Sequence, residues 1–509
     1  MKKIVIIGSG FSSLAAACFM AKAGWDVTVL EKQDSPGGRA RQFISGGFVF
    51  DMGPSWYWMP DVFERFFNCF GKKVSDYYEL VRLDPSYRIY WKDGPMEIPA
   101  SYEKLKRIFD KLEPGSAKKL DKFIAGAGYK YQVGMHKLVH KPGRSYKEFI
   151  DWEVIKGIFK LDVFTSVKSH VAKYFRHPKL KQLMEFPILF LGALPKDIPA
   201  LYSLMNYADI KLGTWYPMGG MYKITEGMYL LAKELKVKFH FNQEVIRINV
   251  ENGIAKSVIT HSSDTGMQAM HEKSVNQYVA DVVIGGADYH FIETKLLPEK
   301  FRSYSTKYWN KRIMAPSCLL YYIGLNKKLN GVSHHSLFFD TDFELHGNEI
   351  YCSKKWPSEP LFYVCIPSVT DAAVAPKGCE NLFFLVPVAS GLEGDTEELR
   401  DKYFAQILNR FEEKTNQLIK EAIIVKKTYS ISNFVNDYNA YKGNAYGLAN
   451  TLLQTAVLKP SLQSKKVKNL YFTGQLTVPG PGVPPSLISG EVTAKEIMKQ
   501  FGKGTGLLD

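Results

Sequence analysis

The first thirty-one residues constrain this chain more than any other stretch. Residues 2–7 (KKIVII) read as a short apolar strand, and Gly8-Ser9-Gly10-Phe11-Ser12-Ser13 as a tight turn. Residues 14–23 read as an Ala-rich helix, and residues 26–30 as a second strand ending on Glu31. A strand, a glycine turn, a helix and a strand closing on an acid form a nucleotide-binding βαβ unit in which each part has one task. Gly8 permits the turn. Gly10 lets the backbone approach a pyrophosphate resting on the positive end of the helix. Ser9 and Ser12 share that turn. Glu31, 21 residues beyond Gly10, can accept hydrogen bonds from a ribose 2′-hydroxyl, with Lys32 beside it. The third glycine of the usual pattern is Ser13 here, small enough for the helix–strand packing which that glycine serves.

The residues after Glu31 separate one dinucleotide from another. Gly37-Gly38-Arg39 follows a short spacer, and Asp51-Met52-Gly53-Pro54-Ser55 comes next. Acid, spacer, Gly-Gly-Arg and Asp-x-Gly-Pro resemble the FAD-binding N-terminus of the amine oxidase and phytoene desaturase superfamily. The resemblance implies that Gly38 and Arg39 run along the FAD diphosphate and ribityl chain. It also implies that Gly53, Pro54 and Ser55 come close to the flavin ring, where bare backbone leaves room for a bulky ring system.

Two later clusters extend the resemblance. Pro217-Met218-Gly219-Gly220-Met221 precedes a predicted helix over residues 222–235, and residues 239–248 read as a strand. Asn252-Gly253 marks a hairpin turn. Residues 281–288 (DVVIGGAD) close the segment. By resemblance this is the second FAD segment, with Val245 holding the adenine through its backbone and the strand ending at Ala287 and Asp288 passing the nucleotide. Near the C-terminus, residues 469–475 (NLYFTGQ) read as a strand running into a glycine turn at Gly474 and Gln475. Thr477-Val478-Pro479-Gly480-Pro481-Gly482-Val483-Pro484 follows, and a helix is predicted over residues 485–499. This resembles the signature of bacterial-type phytoene desaturases and related carotenoid oxidoreductases, with Val478 in place of the family's usual His. The resemblance implies that this turn sets backbone N–H groups and a helix N-terminus, at Val483 and Pro484, against the flavin pyrimidine edge.

Composition bounds the rest. A chain of 509 residues, 46% hydrophobic and 23% charged, is expected to form two or three globular domains. None of the six cysteines forms a CxxC pair, so neither a disulfide framework nor a zinc site is suggested. His170, His177 and the His334-His335 pair lack metal-ligand spacing and read as surface or core. No apolar run of about 18 residues is present, and no transmembrane helix is predicted. Glycines interrupt the N-terminal apolar run, which argues against a signal peptide.

The charge is uneven. Residues 101–181 carry 19 Lys and Arg against 8 Asp and Glu, a net +11 out of +15 for the chain. Apolar residues are interleaved, and residues 157–164 with Lys168, Lys173, Arg176 and Lys179 read as an amphipathic helix. Such a pattern suits an anionic membrane surface, or equally a helical subdomain with a solvated basic face. No nucleic-acid recognition motif accompanies it. The strands predicted at residues 318–325, 361–366 and 381–388 suit either buried core or the wall of a lipid-like ligand site, with core favoured.

Taken as a whole, the resemblance implies an α/β fold with a Rossmann-type, amine oxidase-like FAD-binding domain, a mixed-sheet substrate domain and a helical, membrane-facing subdomain. The FAD-binding domain would be assembled from residues 1–80, 211–292 and 441–509. Residues 81–210 would form the helical basic subdomain and residues 293–440 the substrate domain. The implied activity is FAD-dependent desaturation of a linear, hydrophobic polyene by hydride transfer to flavin, with phytoene to lycopene as the expected step. Oxygen or a quinone would take the electrons, and the protein would sit in the cytoplasm against the inner face of the membrane. Other expectations are a γ-carotene or hydroxycarotenoid 3,4-desaturase, a carotenoid isomerase, a flavin amine oxidase, or a lipid- or prenyl-binding escort that does no chemistry. No catalytic acid or base stands out in the sequence.

Overall fold

The computed structural model describes residues 1–149, 161–189, 191–262 and 275–502. Its organising element is the N-terminal apolar run. Lys3–Ile7 is the middle strand of a five-stranded parallel sheet, in the order Leu470–Phe472, Val282–Gly285, Lys3–Ile7, Asp26–Leu30, Lys238–His240. Ile4 pairs with Val27 on one side and Val282 on the other. Helices cover this sheet, which is why its central strands are apolar throughout rather than alternating. The helix Phe11–Lys22 is buried from Phe11 to Met20 because it packs against both Val483–Phe501 and Tyr222–Glu234. It begins three residues earlier than the sequence suggests, because Gly10 caps it from extended backbone.

The strand predicted over residues 239–248 proves to be two. Lys238–His240 edges the parallel sheet, while Gln243–Glu251 opens a three-stranded antiparallel sheet with Ile254–Ser262 and Val275–Val279. Asn242, at φ 54°, makes the break. The predicted Asn252-Gly253 hairpin is present, with both residues at positive φ. Asn469 ties the two sheets together. Its Nδ2 donates to the Ala255 and Asp281 carbonyls, each at 2.8 Å, and its Oδ1 accepts from the Ala255 N–H at 2.8 Å.

A seven-stranded mixed sheet forms the second layer, in the order Ile423–Tyr429, Ser317–Leu325, Glu380–Val388, Phe362–Cys365, His335–Phe338, Tyr87–Trp91, Gly94–Ile98. Both faces are buried, and the two-residue period of the strands divides their side chains. Leu319, Tyr321, Ile323, Phe338, Val364 and Phe384 join one core with the helix Glu397–Thr415. Cys318, Leu320, Leu337, Tyr363 and Cys365 face the other way, into a core shared with the helices Ser116–His136, Val167–Tyr174 and Pro178–Leu189.

Residues 81–210, expected to be helical, include the hairpin of Tyr87–Trp91 and Gly94–Ile98, which belongs to the large sheet, and the basic stretch over residues 101–181 begins after it with the helix Tyr102–Leu112. Several of its bases are consumed internally. Lys130 is buried, pairs with Asp162 at 2.9 Å and donates to the Ala200 carbonyl at 3.1 Å. Lys106 pairs with Asp121 at 3.1 Å and Lys119 with Glu113 at 2.7 Å. Residues 157–160, half of the predicted amphipathic segment over residues 157–164, lie outside the described residues, and Val167–Tyr174 beyond it is helical.

Candidate functional site

One cavity of about 470 Å³ runs from the C-terminal ends of the parallel strands to the inward face of the large sheet. The turn after Lys3–Ile7 forms its polar end. Gly8 sits at φ 89°, and a Cβ on it would lie 3.3 Å from the Ala287 backbone nitrogen. Gly10 has ordinary extended backbone, φ −71°, and a Cβ placed on it would meet no protein atom within 4 Å. The chain itself therefore does not require glycine there. No side chain caps the helix that starts at Phe11, so its first N–H groups and its positive end are presented to that space.

Glu31 is buried, and its carboxylate is already at work. Oε2 accepts from the Ser9 N–H at 2.8 Å and the Ser9 hydroxyl at 2.6 Å, while Oε1 accepts from the Gln33 N–H at 2.9 Å. The acid thus holds the glycine turn in place, a role that the motif does not disclose. Ser9 engages both lone pairs of Oε2, and Oε1 keeps one for a ribose hydroxyl. Lys32 and Val245 line the same end, Val245 beside an irregularity in the pairing of its strand with Ile254–Ser262. Ser13 stands outside the cavity. Its buried hydroxyl occupies the place a Gly286 Cβ would need, at 1.8 Å, so the room usually made by a third glycine is made by the partner strand.

Gly38, Arg39, Gly53, Pro54 and Ser55 form the next part of the wall. A Cβ on Gly53 would lie 2.5 Å from the Arg39 carbonyl oxygen, which fixes glycine at that position on grounds of packing. The Arg39 guanidinium donates to the Asn444 carbonyl at 3.2 Å and lies over the Tyr438 ring. With its amide oxygen turned inward, Gln475 accepts from Arg39 Nη1 at 3.2 Å. Burial pushes the Arg39 pKa down, and the nearby Asp288 carboxylate partly offsets this. Arg39 Nε is buried without a hydrogen-bond partner, as a donor facing a missing anion would be. Asp288 itself accepts from the Tyr441 N–H at 3.1 Å and the Phe291 N–H at 3.1 Å, and burial raises its pKa.

Asp51, quoted in the sequence motif but given no task, joins two motifs. Its carboxylate accepts from the Met221 and Tyr222 N–H groups at 2.7 and 2.9 Å, clamping the Gly219-Gly220 turn against the hairpin that leads to Gly53. Burial pushes its pKa up to about 6.

The C-terminal turn closes the cavity from the other side. Gly474, Gln475, Gly482, Val483 and Pro484 line it, and the Gly474 N–H donates to Ser489 Oγ at 2.9 Å. The first helical residues are Val483-Pro484-Pro485, and the two prolines have no N–H, so Val483 is the single backbone donor among these three. Val478, standing where the family's His is usual, is buried in the apolar core.

Beyond Ser55 the cavity becomes apolar. Leu189, Leu191, Leu320, Leu337, Phe339 and Phe343 line it, with Trp56 and Tyr363 at the junction. The strands expected to be either core or ligand wall are both, one face each. His335, expected to be a surface or core residue, is fully buried. It stacks on Trp56 at 4.2 Å between ring centroids, and its Nδ1 meets the Tyr363 hydroxyl at 2.7 Å. His334, His335 and Cys365 lie close enough to suggest a metal site, but the Tyr363 hydroxyl already occupies His335 Nδ1. The donor set along the polar end, together with the space at Gly10, fits a dinucleotide laid from Glu31 to Ser55.

The sequence profile described as "flavin containing amine oxidoreductase" matches residues 11–498. The chain is 39% identical to a carotenoid 3,4-desaturase of Haloarcula japonica, covering 98% of each protein. It is 30% identical to a zeta-carotene-forming phytoene desaturase of Myxococcus xanthus, over 98% of this chain and 94% of that one. Among solved structures, an oxidoreductase of Methanosarcina mazei superposes with a TM-score of 0.61 at 15% identity, over 98% of this chain and 100% of its own. A Rab GDI of Plasmodium falciparum superposes at 0.53 and 12%, over 99% of each. The fold is therefore shared by an oxidoreductase and a protein named for another role, and the site has to decide between them.

Proposed function

The chain belongs to the flavin containing amine oxidoreductase family, and from that membership we propose that it is a carotenoid desaturase whose reaction is the conversion of phytoene to lycopene. It is an FAD-dependent oxidoreductase of CH–CH bonds. The observation that carries the reading is the single cavity, which joins a nucleotide cradle to an apolar trough with no partition between them. An escort protein has no use for the space at Gly10 or the Ser9–Glu31 clamp.

In this reading Gly8, Gly10, Ser9, Ser12, Glu31 and Lys32 hold the nucleotide half of FAD. Gly38, Arg39, Ala287 and Asp288 flank its middle, and Gly53, Pro54, Ser55, Gly474, Gln475, Val483 and Pro484 surround the ring. When bound there, FAD supplies a two-electron acceptor for hydride. The protein's part is to orient the polyene. With no polar handle on the substrate, the trough from Trp56 to Phe343 positions it by shape and excludes water from the reacting bond. The higher identity to a 3,4-desaturase supports a second reading, in which the same chemistry acts on the 3,4 bond of a more unsaturated carotenoid. Incubation of the holoprotein with phytoene, and separately with lycopene, distinguishes the two. The first reading expects a new long-wavelength chromophore from phytoene and unchanged lycopene. The second expects the reverse, and no spectral change in either incubation overturns both.

No described helix is long and apolar enough to cross a membrane. Access for a lipid-soluble substrate is proposed at a peripheral face where exposed apolar side chains sit beside bases. Phe164 is 86% exposed, Leu453 77% and Tyr146 65%, with Lys141, Arg144 and Lys147 alongside. These segments are neighbours. Gly143 packs on Ala456, the Tyr202 hydroxyl lies 3.3 Å from Thr455 Oγ1, and the Ala200 N–H donates to the carbonyl of Thr165, next to Phe164, at 2.7 Å. Replacing Phe164 and Leu453 together by Ser is expected to reduce co-sedimentation with anionic vesicles at least severalfold while leaving flavin content intact. Equal recovery of variant and parent in the pellet would count against this face.

A further inference from the structure

Desaturation removes a proton as well as a hydride, and the cavity must contain something to take it. At its apolar end, the titratable side chains that line the wall among the described residues are Cys318, His346, Tyr351, Tyr363 and Tyr446. Four are poorly placed to pass a proton on. His346 has both nitrogens engaged: Nδ1 accepts from the Leu361 N–H at 2.8 Å and Nε2 meets the Pro387 carbonyl at 3.0 Å. The Tyr351 hydroxyl points at the Leu189 carbonyl at 3.4 Å, which cannot hold a proton. Cys318 and Tyr446 hydrogen-bond each other, and burial pushes the thiol up to about 12.

Tyr363 differs. Its hydroxyl lies 2.7 Å from His335 Nδ1, and it also interacts with the Cys365 thiol and receives a hydrogen bond from Ser55, next to the Gly53-Pro54 turn. The imidazole is clamped by its stack on Trp56. Its Nε2 is buried without a hydrogen-bond partner. The His334 ring follows at 4.5 Å between centroids, and His334 Nδ1 meets Thr370 Oγ1 at 2.8 Å, where the chain reaches the partly exposed surface.

We propose that Tyr363 is the catalytic residue that receives the substrate's proton, with His335 as the positioning residue that takes the phenol's own proton in exchange. The proposal rests on the desaturase reading. As a hydride leaves one carbon with its electron pair for the flavin, the adjacent carbon releases a proton. The electron pair of that second C–H bond becomes the new C=C bond. The proton goes to the Tyr363 oxygen while the Tyr363 hydroxyl proton moves to His335 Nδ1, so the phenol is regenerated and the imidazole carries the charge. Both histidines are held neutral by burial, His334 down to about 3, so His335 starts unprotonated and its proton is held only transiently.

The test is anaerobic flavin reduction by the polyene, followed in one turnover. Tyr363→Phe keeps the ring and the packing, and it is expected to slow reduction by about 100-fold or more. His335→Phe keeps the Trp56 stack and is expected to do the same. Flavin content and polyene binding should be unchanged in both. The parent should also slow in D2O, and Tyr363→Phe should lose that sensitivity. Independently of turnover, proton and nitrogen NMR of the His-labelled holoprotein should show a Tyr363 hydroxyl proton coupled to His335 Nδ1. Reduction of Tyr363→Phe at the parent's rate would overturn the assignment. So would a stoichiometric metal bound through His334, His335 and Cys365. A parent whose flavin no polyene reduces would instead overturn the desaturase reading beneath it.

Discussion

Gly10→Val is expected to yield a folded protein that purifies colourless. The argument uses two facts about one residue. The Gly10 backbone is in a region open to any amino acid, and a Cβ there would meet no protein atom within 4 Å. The cost to folding is expected to be limited to the loss of a favourable N-cap residue, on the order of 1 kcal/mol. The valine methyls would instead occupy the space at the uncapped start of the helix Phe11–Lys22, where a pyrophosphate would rest. Flavin affinity should fall by at least about 100-fold, equivalent to roughly 2.7 kcal/mol. The ratio of flavin to protein absorbance, read beside the unfolding midpoint, checks this. Gly53→Ala serves as the contrast. Its Cβ would lie 2.5 Å from the Arg39 carbonyl oxygen, so it should lower the midpoint as well as the flavin content. Normal flavin content in Gly10→Val would remove the cradle from the functional account.

The second large effect is on stability. Lys459 is 5% exposed, its ammonium has no hydrogen-bond partner, and burial pushes its pKa from the ordinary 10.5 down to about 7. The unfolded chain keeps this proton up to about pH 10.5, whereas the folded protein gives it up near pH 7. Between those values the unfolded state binds more protons, so stability rises with pH across that window. Below it both states are protonated, and the full cost of a buried, unpaired cation is present. Each tenfold loss of proton affinity on folding corresponds to about 1.4 kcal/mol, so that cost is on the order of several kcal/mol. Lys459→Met, of similar length and without charge, is expected to be more stable than the parent at pH 6.5, and its stability should no longer climb between pH 7 and 10. Urea unfolding at a series of pH values reads both effects. A parent curve that is flat or falling over this window would refute the account.

How much could be read in advance depended on how local each feature was. The nucleotide turn was legible because Gly8, Gly10 and Glu31 belong to one contiguous βαβ unit, whose spacing carries its geometry. The break at Asn242 was not, because apolar residues interleaved with polar ones across two short strands look the same as one longer strand. The two roles of the large sheet were hidden for a related reason. Ser317–Leu325 is apolar on both faces, so the alternation that would mark a ligand wall is missing from its composition. Glu31 was found, but its bonds to Ser9 were not, since a motif states which residues occur and not how many lone pairs are already in use. Tyr363 and His335 lie 28 residues apart and meet only through the pairing of His335–Phe338 with Phe362–Cys365. In the basic stretch, charge counting could not show that Lys130 points inward to Asp162.

The undivided cavity has a practical corollary. Where cofactor and polyene occupy one room, each furnishes part of the other's enclosure. Protein stripped of its flavin is then more than an inactive form: its greasy lining lies open to water from the nucleotide side, inviting detergent, lipid or a second chain. Cofactor saturation during expression should therefore govern the solubility of the preparation as much as its activity.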